Sequence, residues 1–255
     1  MITRDDYQCF MMWWRFPIRG PSIFLSSTMS AITKQGQQTP YKPALLVIDV
    51  QNDFISGSLA VPDGAAVIEP INQLLQLPFA LKVATRDFHP ANHVSFAATH
   101  QFPLLSKLLI YHPEDLDKVE GLEQVLWPNH CVQDTDGANF APGLETAVFD
   151  QVITKGVHPN IESYSAFSDI WKRHDSELPV LLKKHGVTDV YVTGLAGDYC
   201  VRETAIDSIE RGYRTWLVMD AVKSIKPGDD AYIYVHEKGI HKTTTKELTD
   251  RLLTM

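Results

Sequence analysis

Apolar residues follow two different periods along the chain. Short continuous runs rich in Val, Ile and Leu occur at residues 44–49, 81–89, 151–155 and 189–200. Such runs are typical of buried parallel strands, because both faces of a parallel sheet are covered. Each run ends in, or just before, a residue able to do chemistry. Since ligands bind beyond the carboxyl ends of parallel strands, these residues should share one rim of the sheet.

Helical stripes fill the intervals between these strands. Apolar spacing predicts a helix over residues 66–77, and residues 176–186 and 200–212 are predicted to form two more, each ended by a glycine. A further strand, residues 213–219, follows directly. This alternation predicts an α/β fold with three layers, α-β-α, and a mostly parallel, Rossmann-like central sheet.

The pattern divides the chain into two parts. Residues 1–42 have no sustained period and are rich in Ser, Thr, Gln and Pro toward their end, so we expect a disordered N-terminal extension. Residues 43–255 are expected to form one domain. Within it, residues 91–148 are irregular and rich in proline, and we expect long loops over the rim.

Composition narrows the classes of partner. The net charge is −8, with no clustered basic face, which argues against nucleic acid and anionic membranes. The longest apolar run near the N-terminus, residues 9–14, is far shorter than the roughly 20 residues of a membrane-spanning helix. Three irregularly spaced cysteines favour a reducing compartment. We therefore expect a cytoplasmic protein that is not secreted, and nuclear or peroxisomal localisation are alternatives. Assembly into a homo-oligomer is a further alternative.

Cys200 is the strongest candidate for a nucleophile. It follows the turn Gly-Leu-Ala-Gly-Asp and begins a predicted helix, where the helix dipole and unpaired N–H groups should lower the pKa of its thiol. Backbone N–H groups of Ala196 and Cys200 are expected to face a developing oxyanion. The alternative is a buried structural cysteine.

Two charged residues at strand ends should accompany the thiol. Asp49 ends the first strand and is a candidate general base, with loop or helix capping as the alternative, for which Asp53 is better placed. Lys155 ends the third strand, where its ammonium would hold both anions in place. A lone lysine would more often be a solvated surface residue.

A metal site is indicated by Asp87 and His89, which lie on the same face of one extended strand. His130 is a plausible third ligand, and His93 is an alternative to it. An Asp with two His suits catalytic Zn²⁺ but also non-haem Fe(II), so spacing alone does not choose the metal. Phe54, Trp127 and Tyr164 are candidates for walls of a pocket that stacks on a flat heteroaromatic substrate, whereas Phe167 is expected to be ordinary packing.

Taken together, these strings resemble those of nicotinamidases in the isochorismatase-like cysteine hydrolase superfamily. The matching pieces occur in the family's order: LLVIDVQNDF, TRDFHP, WPNHCVQ, ITKG, YSAF and VTGLAGDYCV. The resemblance covers residues 44 to about 225 and implies an isochorismatase-like fold for the domain. It also implies hydrolysis of nicotinamide to nicotinic acid and ammonia through a cysteine thioester, in NAD salvage.

The resemblance assigns roles residue by residue. It implies a catalytic triad of Asp49, Lys155 and Cys200. Its metal ligands, which usually hold Zn²⁺, correspond to Asp87, His89 and His130, and Glu162 corresponds to a residue in the metal's water shell. It also implies a cis peptide bond between Leu195 and Ala196, which orients the oxyanion amides. One departure is Gly197, where relatives commonly have threonine. It adds backbone freedom beside the turn.

Three other functions stay open. A superfamily relative acting on another small amide or carbamoyl compound would use the same residues. A non-haem Fe(II) oxygenase would use Asp87, His89 and His130 but leaves Cys200 and Lys155 unexplained. A non-catalytic binding protein with the same fold is the third alternative.

Overall fold

The computed structural model describes residues 40–254, except for the side chains of residues 229 and 230. The predicted extension lies outside the described residues over positions 1–39. A six-stranded sheet forms the centre. Its strands are β1 (Pro43–Ile48), β2 (Leu81–Asp87), β5 (Gln151–Lys155), β6 (Asp189–Leu195), β7 (Arg214–Lys223) and β8 (His241–Thr243). Their order across the sheet is β5-β2-β1-β6-β7-β8, and every pairing is parallel.

Helices cover both faces of this sheet. The helices of the described residues are α1 (Asn52–Ile55), α2 (Ile68–Leu75), α3 (Ala97–His100), α4 (Leu178–His185), α5 (Cys200–Glu210), α6 (Ile233–Glu237) and α7 (Thr245–Leu253), and all but α3 place side chains in the two clusters that cover the sheet. Short 3-10 helices occupy Gly64–Val67, Asp136–Ala138, Thr146–Val148 and Asp229–Tyr232. The buried side chains of α2 and α7 pack in one hydrophobic cluster, and those of α4 and α5 pack in another.

The strand pattern explains this layering. Along β1, Leu45 and Val47 belong to the first cluster, while Leu46 and Ile48 belong to the second. Alternate residues of a strand point to opposite faces, so a strand that is apolar throughout supplies both cores. The predicted three-layer α/β fold is confirmed.

Helix ends agree with the sequence signals. The stripe predicted over residues 66–77 forms a 3-10 turn followed by α2, with Pro70 in the first turn of α2. Gly186 adopts a left-handed conformation with φ of 65° and ends α4. The Ser176 hydroxyl accepts a hydrogen bond from the Leu178 N–H at 3.0 Å, close to the predicted N-cap position.

The irregular region of residues 91–148 contains more structure than the predicted loops. Besides α3, it forms an antiparallel hairpin of β3 (Lys107–Tyr111) and β4 (Gly121–Val125), which stands apart from the main sheet. Leu109 and Leu122 are exposed on this hairpin. Because its apolar side chains are not buried alternately, this stretch has no clear strand period. Across residues 40–254, the helices are all too short or too polar to cross a bilayer.

Candidate active site

The ammonium of Lys155 joins the three predicted polar groups at the rim. Its Nζ lies 2.8 Å from Asp49 Oδ2 and 3.3 Å from Cys200 Sγ, and it also pairs with Asp87 Oδ1. All four side chains are buried. These groups are far apart in sequence. The parallel sheet brings them together at one rim, as their positions at the strand ends predicted.

Asp49 follows β1 in a left-handed backbone conformation with φ of 49°. Its Oδ1 accepts a hydrogen bond from Thr85 Oγ1 at 2.6 Å. Its Oδ2 lies beside the Lys155 ammonium but has no well-aligned hydrogen bond from the described residues. Burial raises the pKa of Asp49 to about 6, although the charge on Lys155 opposes this shift. One carboxylate oxygen is therefore free to take a proton at near-neutral pH.

Lys155 stays charged in this setting. Burial by itself would lower the pKa of its ammonium, but the carboxylates of Asp49 and Asp87 raise it well above its ordinary value. The Ser163 carbonyl accepts a further hydrogen bond from Nζ at 3.2 Å. The pKa of Asp87 shifts downward instead. Burial acts to raise this pKa, but the charge on Lys155 outweighs burial and holds it below its usual range.

Cys200 stands at the first position of α5, as predicted. Its sulfur lies within 4.8 Å of carboxylate oxygens of Asp49 and Asp87. The predicted lowering of its pKa is wrong for this structure: burial raises the pKa of the thiol well above its ordinary value, even though Lys155 opposes the shift. The resting group is a neutral thiol, so an adjacent base must remove its proton before it can attack a substrate.

The turn before Cys200 carries two free amides. Among residues 40–254, neither the Ala196 N–H nor the Cys200 N–H donates to a protein acceptor. The peptide bond between Leu195 and Ala196 is cis, as the resemblance implies. Both free amides belong to residues beside the thiol in this turn, where oxyanion donors are needed.

Asp87, His89 and His130 form one compact group of possible metal ligands. The two imidazole Nε2 atoms lie 3.5 Å and 3.8 Å from Asp87 Oδ2. Each ring places its Nδ1 against a backbone carbonyl, Gly156 for His89 and Pro128 for His130, both at 2.8 Å. Such hydrogen bonds fix the tautomer that leaves Nε2 free to bind a metal. Burial also lowers the pKa of His130 to about 4, which keeps its ring neutral.

His93 is less suited to be the third ligand. Its Nδ1 lies 2.7 Å from Ser95 Oγ and its Nε2 lies 3.1 Å from the Ile161 carbonyl, so both ring nitrogens are occupied. Its ring stacks on His89 with centroids 4.1 Å apart. Glu162 is buried, and its carboxylate lies within 4.8 Å of a ring nitrogen of each of these histidines. It therefore borders the metal group.

Aromatic side chains surround the rim. The rings of Phe54 and His130 are 5.4 Å apart, and Trp127 packs edge-on against Tyr199 at 4.8 Å. Tyr164 is held by its hydroxyl, which accepts hydrogen bonds from Gln124 Nε2 at 2.7 Å and from Trp127 Nε1 at 3.2 Å. Phe167 is fully buried in the core, as expected.

Sequence reasoning missed several polar supports. The Gln51 amide brackets the backbone of Asp87, accepting from its N–H at 2.8 Å and donating to its carbonyl at 2.8 Å. Thr85 lies two residues before Asp87 on β2, so the strand period placed it on the same face. Asp53 accepts a hydrogen bond from the Cys131 N–H at 2.7 Å, which anchors the loop after His130. This contact agrees with the loop-capping role considered for Asp53.

Comparisons with known proteins agree with this geometry. The isochorismatase domain model matches residues 43–244. The nicotinamidase of Acinetobacter baylyi is 42% identical over 183 residues, which cover 71% of this chain and 81% of the relative. The yeast nicotinamidase structure superposes with a TM-score of 0.75 at 34% identity, covering 79% of this chain and 99% of that one.

A second similar structure holds a metal. It is a pyrazinamidase of Pyrococcus horikoshii in complex with zinc, with a TM-score of 0.62 at 35% identity, covering 80% of this chain and 99% of that one. Since the family model spans most of the chain and these relatives align over nearly their whole length, the chain belongs to the isochorismatase domain family.

Proposed function

We propose that this protein is a nicotinamidase, which hydrolyses nicotinamide to nicotinic acid and ammonia and so supplies NAD salvage. The observation that carries the proposal is the buried contact of Lys155 with both Asp49 and Cys200, directly beside the group of Asp87 and two histidines. The nicotinamidases among the similar proteins support the choice of substrate.

Asp87, His89 and His130 would hold a divalent metal, and Zn²⁺ is the proposed ion. Their Nε2 and carboxylate atoms all lie within 4.8 Å of one another, and carbonyl partners already fix both imidazoles. The zinc-bound pyrazinamidase supports the choice of metal. When bound, such an ion supplies a Lewis acid that holds a pyridine nitrogen and withdraws electron density from the ring. Glu162 would lie in the outer shell of the ion.

Acylation begins with proton transfer from the Cys200 thiol to Asp49, whose Oδ2 lacks a well-aligned hydrogen bond. The thiolate attacks the carboxamide carbon, and the carbonyl oxygen becomes an oxyanion. The N–H groups of Ala196 and Cys200 are the proposed donors to that oxygen. Asp49 then returns its proton to the leaving nitrogen, so ammonia departs and a thioester of Cys200 remains.

Deacylation uses the same groups in reverse. Asp49 takes a proton from water as the resulting hydroxide attacks the thioester carbon, and the carbon–sulfur bond breaks as the proton returns to sulfur. Nicotinic acid leaves and the thiol is restored. Lys155 keeps its charge throughout; it holds Asp49 in place and lies 3.3 Å from the sulfur, where it stabilises the thiolate.

The aromatic groups would orient the substrate ring. Phe54 lies against His130, one of the proposed metal ligands, and Trp127 is held by its hydrogen bond to the Tyr164 hydroxyl. Flat rings bury a flat heteroaromatic substrate well and disfavour aliphatic amides. A preference for nicotinamide and pyrazinamide over carbamoyl compounds is therefore expected.

Ammonia release from purified protein tests the proposal. Wild type should release ammonia from nicotinamide, lose turnover after metal removal and regain it with zinc. Cys200→Ala should keep the fold and the metal while losing activity by at least about 10³-fold. Cys131→Ala is the matched control, because it removes the other buried free thiol of the described residues and should stay active.

Two results would overturn the assignment. Substantial ammonia release by pure Cys200→Ala protein would remove the nucleophile. A higher kcat/KM for carbamoyl compounds than for nicotinamide would instead favour the alternative amidohydrolase. Activity on nicotinamide under strict anaerobiosis would argue against an Fe(II) oxygenase, which needs oxygen.

A further inference from the structure

The turn that carries the two free amides is held by residues that have no part in the chemistry above. The Gly197 carbonyl accepts a hydrogen bond from the Tyr234 hydroxyl of α6 at 3.1 Å, and Tyr234 is buried. The Gly197 N–H donates to the Lys223 carbonyl at the end of β7 at 2.8 Å. Both polar groups of this glycine are thus fixed by elements that supply no catalytic side chain.

A second link joins the same segment to the turn. The Asp198 carboxylate accepts hydrogen bonds from the Ile225 N–H at 3.0 Å and from the Lys226 N–H at 2.9 Å. The side chain of Asp198 is buried. The chain that leaves β7 and leads to α6 is therefore attached to the turn at two successive residues.

Packing closes the remaining space outside Gly197. A Cβ atom at this position would lie 2.5 Å from Ser224 Oγ, 2.9 Å from Val222 Cγ1 and 3.0 Å from Tyr232 Cε1. Real Cβ atoms do not approach other atoms so closely, so the position admits only glycine with these neighbours. The turn has no room to move toward these side chains.

This arrangement matters because Gly197 lies between the two amides. Glycine restricts its own backbone torsions least of all residues, so rotation at Gly197 would turn the Ala196 and Cys200 amides relative to each other. Fixed partners on its carbonyl and N–H remove that freedom. Oxyanion donors act only when they are held in place before charge develops.

We propose that Tyr234 is a positioning residue, which fixes the geometry of the oxyanion amides through its hydrogen bond to the Gly197 carbonyl. The proposal rests on the nicotinamidase function given above. It assigns a role in catalysis to α6, an element that supplies none of the proposed catalytic groups or metal ligands. Loss of the hydroxyl should weaken binding of the tetrahedral intermediate and leave binding of the trigonal substrate unchanged.

The test compares Tyr234→Phe with Tyr232→Phe in the full-length, zinc-loaded enzyme. Tyr232 is the matched control, because its hydroxyl accepts from Ser224 Oγ at 3.0 Å and, among the described residues, makes no hydrogen bond to the turn, while phenylalanine keeps the ring that packs near Gly197. For Tyr234→Phe we expect kcat on nicotinamide to fall roughly threefold to tenfold, with KM changed less than about twofold. Tyr232→Phe should match wild type in both constants.

Inhibitor binding gives a second readout. Nicotinaldehyde is the aldehyde analogue of the substrate; the Cys200 sulfur adds to its carbonyl carbon, the thiol proton is transferred to Asp49, and the resulting oxygen faces the same amides. Tyr234→Phe should weaken the binding of nicotinaldehyde by the same factor by which kcat falls, and it should leave the affinity for nicotinic acid unchanged. Asp198→Asn weakens the hydrogen bonds from the Ile225 and Lys226 N–H groups and should likewise lower kcat and nicotinaldehyde affinity. This variant replaces Tyr234→Phe in the test if the latter does not fold.

The outcomes separate the two proposals. If wild type does not hydrolyse nicotinamide, the proposed function fails and this role fails with it. If wild type is active but Tyr234→Phe retains wild-type kcat, or changes only KM, the positioning role alone is wrong. Equal losses in the Tyr234 and Tyr232 variants would point to general loosening of the segment and would also overturn it.

Discussion

Replacing Thr85 by valine is expected to raise the pKa of Asp49 and to move the acid limb of the pH–rate profile to higher pH. The Thr85 hydroxyl donates to Asp49 Oδ1 at 2.6 Å and accepts from the Asp49 N–H at 3.2 Å. Burial raises the pKa of Asp49 to about 6. Because the proposed base works only when ionised, activity of wild type should fall as the pH drops through about 6.

The size of the shift follows from the hydrogen bond. A donor to a carboxylate stabilises the ionised form, so its loss favours the protonated form and raises the pKa. Such a bond to a charged group contributes at least about 1.5 kcal/mol, and about 1.4 kcal/mol corresponds to one pKa unit. The acid limb of Thr85→Val should therefore lie near about pH 7. At about pH 6 this variant should be about fivefold less active than wild type, and the two should nearly match at about pH 8.

The assay is kcat/KM for nicotinamide between about pH 5 and pH 9, with bound metal measured at both ends of the range. Thr85→Ser is the matched control, because it keeps the hydroxyl and should keep the limb of wild type. The reasoning is wrong if Thr85→Val retains the wild-type limb or shifts it to lower pH. It is also wrong if the serine variant shifts as far as the valine variant.

Three further changes test other parts of the molecule. His130→Ala should weaken zinc binding by about tenfold or more, measured by competition with a chelator, whereas His100→Ala should not, because His100 contacts the Val94 carbonyl away from the ligand group. Gly194→Ala places a Cβ 2.1 Å from the Ile48 carbonyl oxygen at φ of 103°, whereas Gly239→Ala has φ of 71° and open space around the new Cβ. The Gly194 variant should therefore lose more free energy of unfolding in urea than the Gly239 variant, by about 1 kcal/mol or more. Equal losses would contradict the steric argument. Gln124→Leu removes a donor to Tyr164 and should raise KM for nicotinamide about threefold to tenfold, whereas Glu123→Gln on the exposed face of the same hairpin should not.

The strand ends explain why the candidate site was largely predictable. Asp49, Asp87 and Lys155 lie at or just after the ends of runs that read as buried strands, and parallel pairing matches Asp87 with Lys155 directly. Once the sheet is parallel, its geometry brings these residues together without further information. The same argument placed Cys200, because β6 lies beside β1.

Other features depended on information that residue patterns do not contain. The pKa of the Cys200 thiol was predicted to be lowered because a helix begins there, but the extent of burial, which dominates, is a property of the packed structure. The Gln51 and Asp53 side chains bond to backbone groups of distant loops, and no periodicity reports such contacts. The β3–β4 hairpin was not predicted because several of its leucines are exposed, so its apolar positions do not follow the pattern of a buried strand.

The two carboxylates beside Lys155 differ in the direction of their pKa shifts, which favours one of them as the base of the proposed proton transfer. Asp87 faces the Nε2 atoms of His89 and His130, and the charge on Lys155 holds its pKa below the usual range despite its burial. Asp49 is equally buried, but it faces the thiol with an oxygen that lacks a well-aligned hydrogen bond, and its pKa is raised to about 6. Two neighbouring acids whose pKa values are pushed apart take different roles, and the one nearer neutrality exchanges protons. This difference supports the proposed roles, with Asp49 as the base for Cys200 and Asp87 as an anion available to a metal.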